Sequence, residues 1–367
     1  MKGLYIHLPF CRQKCSYCDF ISFTNHVPDI DAYLKVLEQE MEEYRGTPVD
    51  TVFLGGGTPS ILSGSQLGSL LQGVRRIFKI DQNAEITIEA NPKTLSPEKI
   101  KVLLSNGVNR LSLGVQSFVD QELKTIGRIH DAKTAYTTVC MARDLGFNNI
   151  NLDLMMALPG QTLKSLRQTV ETALSLKPEH LSCYSLILEE GTPLYKQYQE
   201  GKVTLPKEDT DREMYHFICK RLKENGYEQY EISNFSKPGK QCRHNLKYWQ
   251  CEEYIGVGIA AHSYLDHRRF ANTSDFKEYL SGRFHSEDRQ ELSNGDEMAE
   301  FMIMGLRMLK GVNIQEFERR FNIAFEEQFG GVAAKHVKNG FLAKEGDHYF
   351  LTAKGVDVSN TILCDFV

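Results

Sequence analysis

Cys11, Cys15 and Cys18 stand within eight residues of one another near the start of the chain, spaced Cys-x-x-x-Cys-x-x-Cys. Three thiolates on one short loop can hold three corners of an iron–sulfur cluster, leaving one iron without a protein ligand. An open iron can bind a small molecule, so the spacing points to chemistry beyond electron storage. Zinc is the competing reading. A structural zinc takes four ligands, usually with a second Cys or His pair, and no such pair completes this loop. Plain core cysteines are the third reading. Spacing and context favour the cluster, because Tyr5-Ile6-His7-Leu8-Pro9-Phe10 reads as a buried strand running into the loop.

Other residues could join that chemistry. Gly55-Gly56-Gly57-Thr58-Pro59 follows an apolar run. Consecutive glycines let a backbone approach a ligand and aim its N–H groups at it. The Gly-Lys-Ser/Thr ending of a phosphate loop is missing, and a tight strand-to-helix turn is the plain alternative. Glu89, Gln116 and Asp153 lie in or at the ends of three further apolar runs. Any one could be incidental, but several polar groups converging on one rim describe a pocket.

The elements that must position these residues alternate. Strands are expected over 4–8, 51–54, 85–89, 110–115, 150–156 and 180–188. Helical periodicity covers 30–44, 66–78, 97–106, 133–145 and 163–176. Strand–helix alternation of this length predicts parallel βαβ units. Six units do not close an eight-stranded barrel, so the expected fold is α/β, an open partial (β/α)6 barrel. Ligands in such folds gather at the carboxyl ends of the strands, where the polar residues above sit.

Composition narrows the function classes. The 367 residues are 41% hydrophobic and 25% charged, with a formal charge of −5. That mix is ordinary for a globular chain and gives no basic surplus for nucleic acid. A tight cysteine trio among otherwise isolated cysteines suits a reducing cytoplasm better than a disulfide framework. The start lacks a signal-peptide pattern, and no apolar run reaches the ~20 residues of a membrane span.

With the cysteine loop, the glycine turn and the rim residues together, the N-terminal part resembles a radical S-adenosylmethionine (SAM) domain. The whole chain resembles the oxygen-independent coproporphyrinogen oxidase family, and within it the HemW-type heme-chaperone branch. The resemblance implies a [4Fe–4S] cluster on Cys11, Cys15 and Cys18, with SAM on the open iron. It implies Tyr5 and Tyr17 flanking that SAM, and Gly56, Gly57 and Thr58 holding its methionine part. Glu89, Gln116, Arg128 and Asp153 would complete the SAM site. A guanidinium such as that of Arg128 can pair with a carboxylate through two parallel hydrogen bonds.

Two departures separate the chain from the oxidase itself. The oxidase has a further cysteine two positions past the third, where this chain has Phe20, and it carries an N-terminal extension ahead of a tyrosine matched here by Tyr5. Both argue against decarboxylation of coproporphyrinogen, and leave open whether the chain is an enzyme that cleaves SAM.

His244-Asn245-Leu246-Lys247-Tyr248-Trp249 matches the His-Asn-x-x-Tyr-Trp motif of the chaperone branch and holds the single tryptophan of the chain. An imidazole can ligate heme iron and aromatic rings can pack on a porphyrin. The resemblance therefore implies heme contact by His244, Asn245, Tyr248 and Trp249, with Cys242, Cys251 and His262 as rival iron ligands. A histidine packed at a domain junction is the plainer reading. Implied partners are heme and heme-accepting proteins, including membrane-bound respiratory ones, and a homodimer is compatible. Gly256-Val257-Gly258-Ile259-Ala260-Ala261 loosely mimics a dinucleotide-binding pattern without the βαβ setting that pattern needs. Those glycines are read as backbone turns.

Three segments result: a barrel over 1–235, a connecting segment carrying the motif over 236–290, and a module over 291–367. The last reads as helices over 298–308, 314–321 and 325–339 followed by a hairpin over 340–352, a small α+β winged-helix-like unit. Winged helices often bind DNA, but this segment has eight Lys/Arg against twelve Asp/Glu. Phosphate neutralisation needs the opposite balance, so a packing or protein-contact role is expected.

Overall fold

The computed structural model describes residues 1–367, apart from the side chains of 286–288. Its first half follows the expected rhythm. Strands β1 (Lys2–Leu8), β2 (Pro48–Gly56), β3 (Lys79–Ala90), β4 (Arg110–Gln116), β5 (Ile150–Met156) and β6 (His180–Ser185) pair in parallel in that order. Helices Ile30–Glu42, Gly64–Ile77, Pro97–Ser105, Ala132–Asp144 and Leu163–Ser175 cross between them. Local chemistry starts several of these helices. The side chains of Ser63, Ser96, Asp131 and Thr162 each accept a backbone N–H from the first turn, satisfying a donor that the helix cannot.

Alternation along the strands divides the sheet into two chemically different faces. Leu4, Ile6 and Leu8, Ile86 and Ile88, and Leu111, Leu113 and Val115 belong to the core shared with the helices. Their neighbours point the other way, into the barrel. Thr87, Arg110, Ser112, Asn151, His180 and Ser182 are all buried there. They satisfy one another across strands: Asn151 Nδ2 donates to Ser112 Oγ (2.8 Å), and His180 Nδ1 pairs with Asn151 Oδ1 (2.6 Å).

The segment 236–290 is more than a connector. After the short strands β7 (Glu228–Gln229) and β8 (Asn234–Ser236) at the β6 edge, the chain returns to the far edge. There β9 (Tyr254–Val257) pairs in parallel with β1. Strands β10 (His262–Leu265), β11 (Arg268–Asn272) and β12 (His285–Glu291) extend it antiparallel into one twelve-stranded sheet. A buried carboxylate ties this extension to the barrel. Glu40, on the first helix, accepts from Gly258 N (2.8 Å), Asn272 Nδ2 (2.5 Å) and the Tyr279 hydroxyl. Burial, opposed by those bonds, pushes its pKa up to about 7.

The C-terminal module has helices Asn294–Gly305, Ile314–Phe321, Phe325–Gln328 and Gly330–Lys338. Strand Val312–Asn313 joins the hairpin Leu342–Glu345/His348–Leu351 in a three-stranded antiparallel sheet. The helix expected over 325–339 is broken at Phe329, whose non-helical backbone precedes two glycines. Phe317, Phe321, Phe325 and Phe329 pack on one another and fill the module.

Candidate functional site

The cysteine loop leaves β1 and closes over the carboxyl ends of the strands. Cys11 N donates to Phe23 O (3.0 Å), which folds the loop back on itself, and Ser16 N donates to Ile126 O (3.1 Å), which fastens it across the barrel mouth. Thr58 N donates to Phe10 O (2.8 Å), and Thr58 Oγ1 lies 3.5 Å from Cys11 Sγ. The glycine turn is explained by this contact. A Cβ on Gly57 would sit 2.8 Å from the Phe10 backbone. Gly56 adopts φ +103° with the His7 ring where its Cβ would be. The glycines thus serve the close approach of two backbone segments.

Arg128 Nη1 donates to Cys15 Sγ (3.3 Å), while Nη2 donates to the Gly114 carbonyl. His130 Nε2 pairs with the Val115 carbonyl at 3.1 Å. Together they pin the end of β4, where Gln116 is held at φ +67°. A non-glycine residue in that region stores strain of the kind concentrated at ligand sites. Glu89 Oε2 accepts from Gly56 N (3.2 Å). Burial, reinforced by the charge of Asp153, pushes the Glu89 pKa up to about 8. Asp153 itself accepts from Asn151 (2.8 Å) and Ser112 (3.2 Å), and burial raises its pKa against those bonds. Tyr5, on β1, and Tyr17, between Cys15 and Cys18 in the loop, are phenols whose ionisation burial disfavours.

Among the described residues, no three His, Cys, Asp or Glu side chains are gathered tightly enough to hold a metal as they stand. The donor set nevertheless suits an iron–sulfur cluster. Cys11, Cys15 and Cys18 are all free. Burial and the charges of Cys15 and Cys11, opposed by a hydrogen bond from the Phe20 backbone, push the Cys18 thiol up to about 11. A bound cation relieves that crowding. The buried Nε of Arg128 has no partner, which leaves a directional donor for an incoming anion.

The motif segment forms helix Arg243–Trp249, which packs against β2 and β3 through Thr51 and Glu85. Glu85 caps it, accepting from Arg243 N and His244 N, both at 3.1 Å. His244 is 1% exposed. Its Nδ1 pairs with Thr51 Oγ1 (2.8 Å) and its Nε2 with the Tyr248 hydroxyl (2.8 Å). Its ring stacks on Phe53 at 5.2 Å, and burial holds its pKa down at about 3. Both ring nitrogens of His244 are therefore engaged within the fold, and neither is turned to an accessible surface. Asn245 is half-buried on the same helix. Lys247 is buried too, bonded to Asp50 (3.0 Å) and Glu252 (2.8 Å).

Tyr248 and Trp249 instead line a groove of about 580 Å³ between β9–β11 and the residues that follow Cys18. Tyr5, Tyr254 and Tyr264 add further rings, and His262 and Met304 also reach it. Beyond Glu89, Gln116 and Asp153, sequence reasoning missed the rest of the inward polar face, among it Thr87, Arg110 and His180, and it missed this groove. Alternation in Glu85-Ile86-Thr87-Ile88-Glu89 was the available signal for the first; the groove has none in local sequence.

The radical SAM superfamily model matches residues 5–173, and the HemN C-terminal domain matches 292–358. Over its full length the chain is 40% identical to the heme chaperone HemW of Bacillus subtilis, covering 100% of this chain and 99% of that one. The chain belongs to the HemW family. The HemW of Lactococcus lactis is 38% identical, over 99% of this chain and 96% of its own length. That of Escherichia coli is 36% identical over 98% and 97%. Coproporphyrinogen III oxidase (HemN) of E. coli, a radical SAM enzyme, shares the fold. Its TM-score is 0.87 at 24% identity, covering 99% of this chain and 89% of that one. With its radical SAM domain, this HemW-family chain takes a [4Fe–4S] cluster and SAM as its cofactors. No helix among the described residues is long and apolar enough to cross a membrane.

Proposed function

We propose that the chain is a heme chaperone, taking up heme and passing it to acceptor proteins from a radical SAM scaffold. The observation that carries this reading is full-length similarity to HemW proteins together with an aromatic groove built on Tyr248 and Trp249 of the branch motif. Flat rings lining a groove suit an apolar macrocycle, and packing on aromatic faces supplies affinity without fixed polar partners. Heme-requiring proteins, including membrane-bound respiratory ones, are the expected acceptors.

Cys11, Cys15 and Cys18 are the residues that hold the cluster in this reading, which when bound supplies an electron and one open iron. Gly56, Gly57 and Thr58 shape the methionine side of the SAM site. Arg128, with its unpartnered Nε, would donate to the SAM carboxylate, and Glu89, its pKa raised by burial, would be held ionised by the SAM ammonium. Gln116 and Asp153 close the site, with Tyr5 and Tyr17 excluding water. Retention of this whole set favours SAM binding.

Conversion of coproporphyrinogen is not expected, because Phe20, 65% exposed, stands where the oxidase has its further cysteine. The test is anaerobic purification followed by heme titration, a SAM-cleavage assay and a coproporphyrinogen III assay. Saturable heme binding without protoporphyrinogen formation is the expected result. Turnover of coproporphyrinogen, or no heme binding, overturns the reading.

A further inference from the structure

The groove holds several side chains that could ligate iron, and the structure removes most of them. His7 has both ring nitrogens engaged, Nδ1 with the Tyr5 hydroxyl (3.0 Å) and Nε2 with Ile21 O (2.9 Å). Cys251 is 5% exposed, and burial pushes its thiol up to about 11, so no thiolate is present at neutral pH. The tyrosines are phenols, raised by burial. Glu252 is paired with Lys247. Met304 supplies a neutral thioether.

His262 differs from all of these. It opens β10, is exposed, and lines the groove. Its ring nitrogens enter none of the hydrogen bonds or ion pairs among the described residues. Its backbone is fixed, because His262 pairs with Ala271 in the sheet and its carbonyl packs against Gly256, where any side chain would collide. The result is a free imidazole on a rigid strand, on the groove that Tyr248 and Trp249 also line. Neutral imidazole is a strong ligand for heme iron.

We infer that His262, and not the motif histidine His244, is the axial ligand to heme iron in this chain. The motif contributes otherwise: His244 fastens its helix to the barrel, and Tyr248 and Trp249 form part of the groove wall. The inference rests on the heme-binding reading above. It deepens that reading by naming the group that makes the directional bond to the cargo.

The test is titration of the full chain with ferric heme, followed by Soret absorption and electron paramagnetic resonance. His262→Ala is expected to lose the histidine-ligated spectrum and to bind heme at least about tenfold more weakly. Added imidazole should restore the spectrum. His262→Met is expected to replace it with a thioether-ligated one, a ligand swap that misfolding cannot imitate. His244→Gln should keep the wild-type spectrum. An unchanged spectrum and affinity in His262→Ala overturns the inference while leaving heme binding intact. Failure of the wild-type chain to bind heme removes the reading beneath it instead.

Discussion

The imidazole of His244 and the hydroxyl of Tyr248 lie 2.8 Å apart, one turn along the same short helix. With Thr51 closing the other ring nitrogen, the most conspicuous histidine of the chain is a structural pin. It joins a helix far along the chain to the second barrel strand. Its partner Tyr248 presents the other side of the relationship, reaching the groove where cargo is expected.

Replacing His244 by Ala should therefore act on stability. The change deletes two buried hydrogen bonds and leaves Thr51 and Tyr248 short of partners, at a cost of roughly 2–4 kcal/mol. Urea unfolding checks this. The single tryptophan, Trp249, is five residues away and reports on the same helix by its fluorescence. A stability equal to wild type would contradict the assignment.

Tyr248→Phe keeps the ring and removes only the hydroxyl, leaving His244 Nε2 unpaired. A loss of about 1–2 kcal/mol is expected, with heme affinity nearly unchanged because ring packing survives. Heme titration of this variant beside wild type separates the two effects.

Glu40 gives a pH dependence with a defined sign. Its folded pKa, about 7, lies above the 4.5 of an unperturbed glutamate. Its stabilising contribution is then complete below the unfolded value and is lost as pH rises through the folded one. The loss is on the order of 3 kcal/mol across that window. Thermal melts of the cluster-free chain should show a fall in stability between roughly pH 5 and pH 8, and Glu40→Gln should flatten it. A slope identical in the variant would assign the effect to other groups.

Combined replacement of Cys11, Cys15 and Cys18 by Ala should abolish bound iron and sulfide after anaerobic reconstitution. The heme Soret band should remain, since His262 and Trp249 are not on the cysteine loop. Unchanged iron and sulfide would disprove the cluster assignment. Loss of heme binding in this variant would place the cargo at the cluster.

Much of the barrel was legible because its signals are local. Ile150–Met156 and the helix Leu163–Ser175 were marked by apolar periodicity. The inner face was harder. Parallel strands usually read as unbroken apolar runs, so rim residues such as Gln116 stood out while Arg110 and Ser112, buried on the same inward face, did not. Strand β9 was invisible for another reason. Tyr254–Val257 is four residues long, runs through Gly256, and owes its place to pairing with Gly3–Ile6 at the other end of the chain. No local pattern encodes such a pairing. The same holds for His244 and His262. Residue type marks both as iron ligands, but only the packing around Thr51 and Tyr248 shows that one is sealed and the other open.

The most direct test of the account is transfer of heme. The chain is loaded with stoichiometric heme, separated from excess, and mixed with an apo-acceptor whose holo form has a distinct absorption spectrum. The account predicts that the acceptor spectrum appears as the chain's own heme band decays, with no protoporphyrinogen formed from added coproporphyrinogen III. Heme that stays on the chain while free heme loads the same acceptor would contradict a chaperone function.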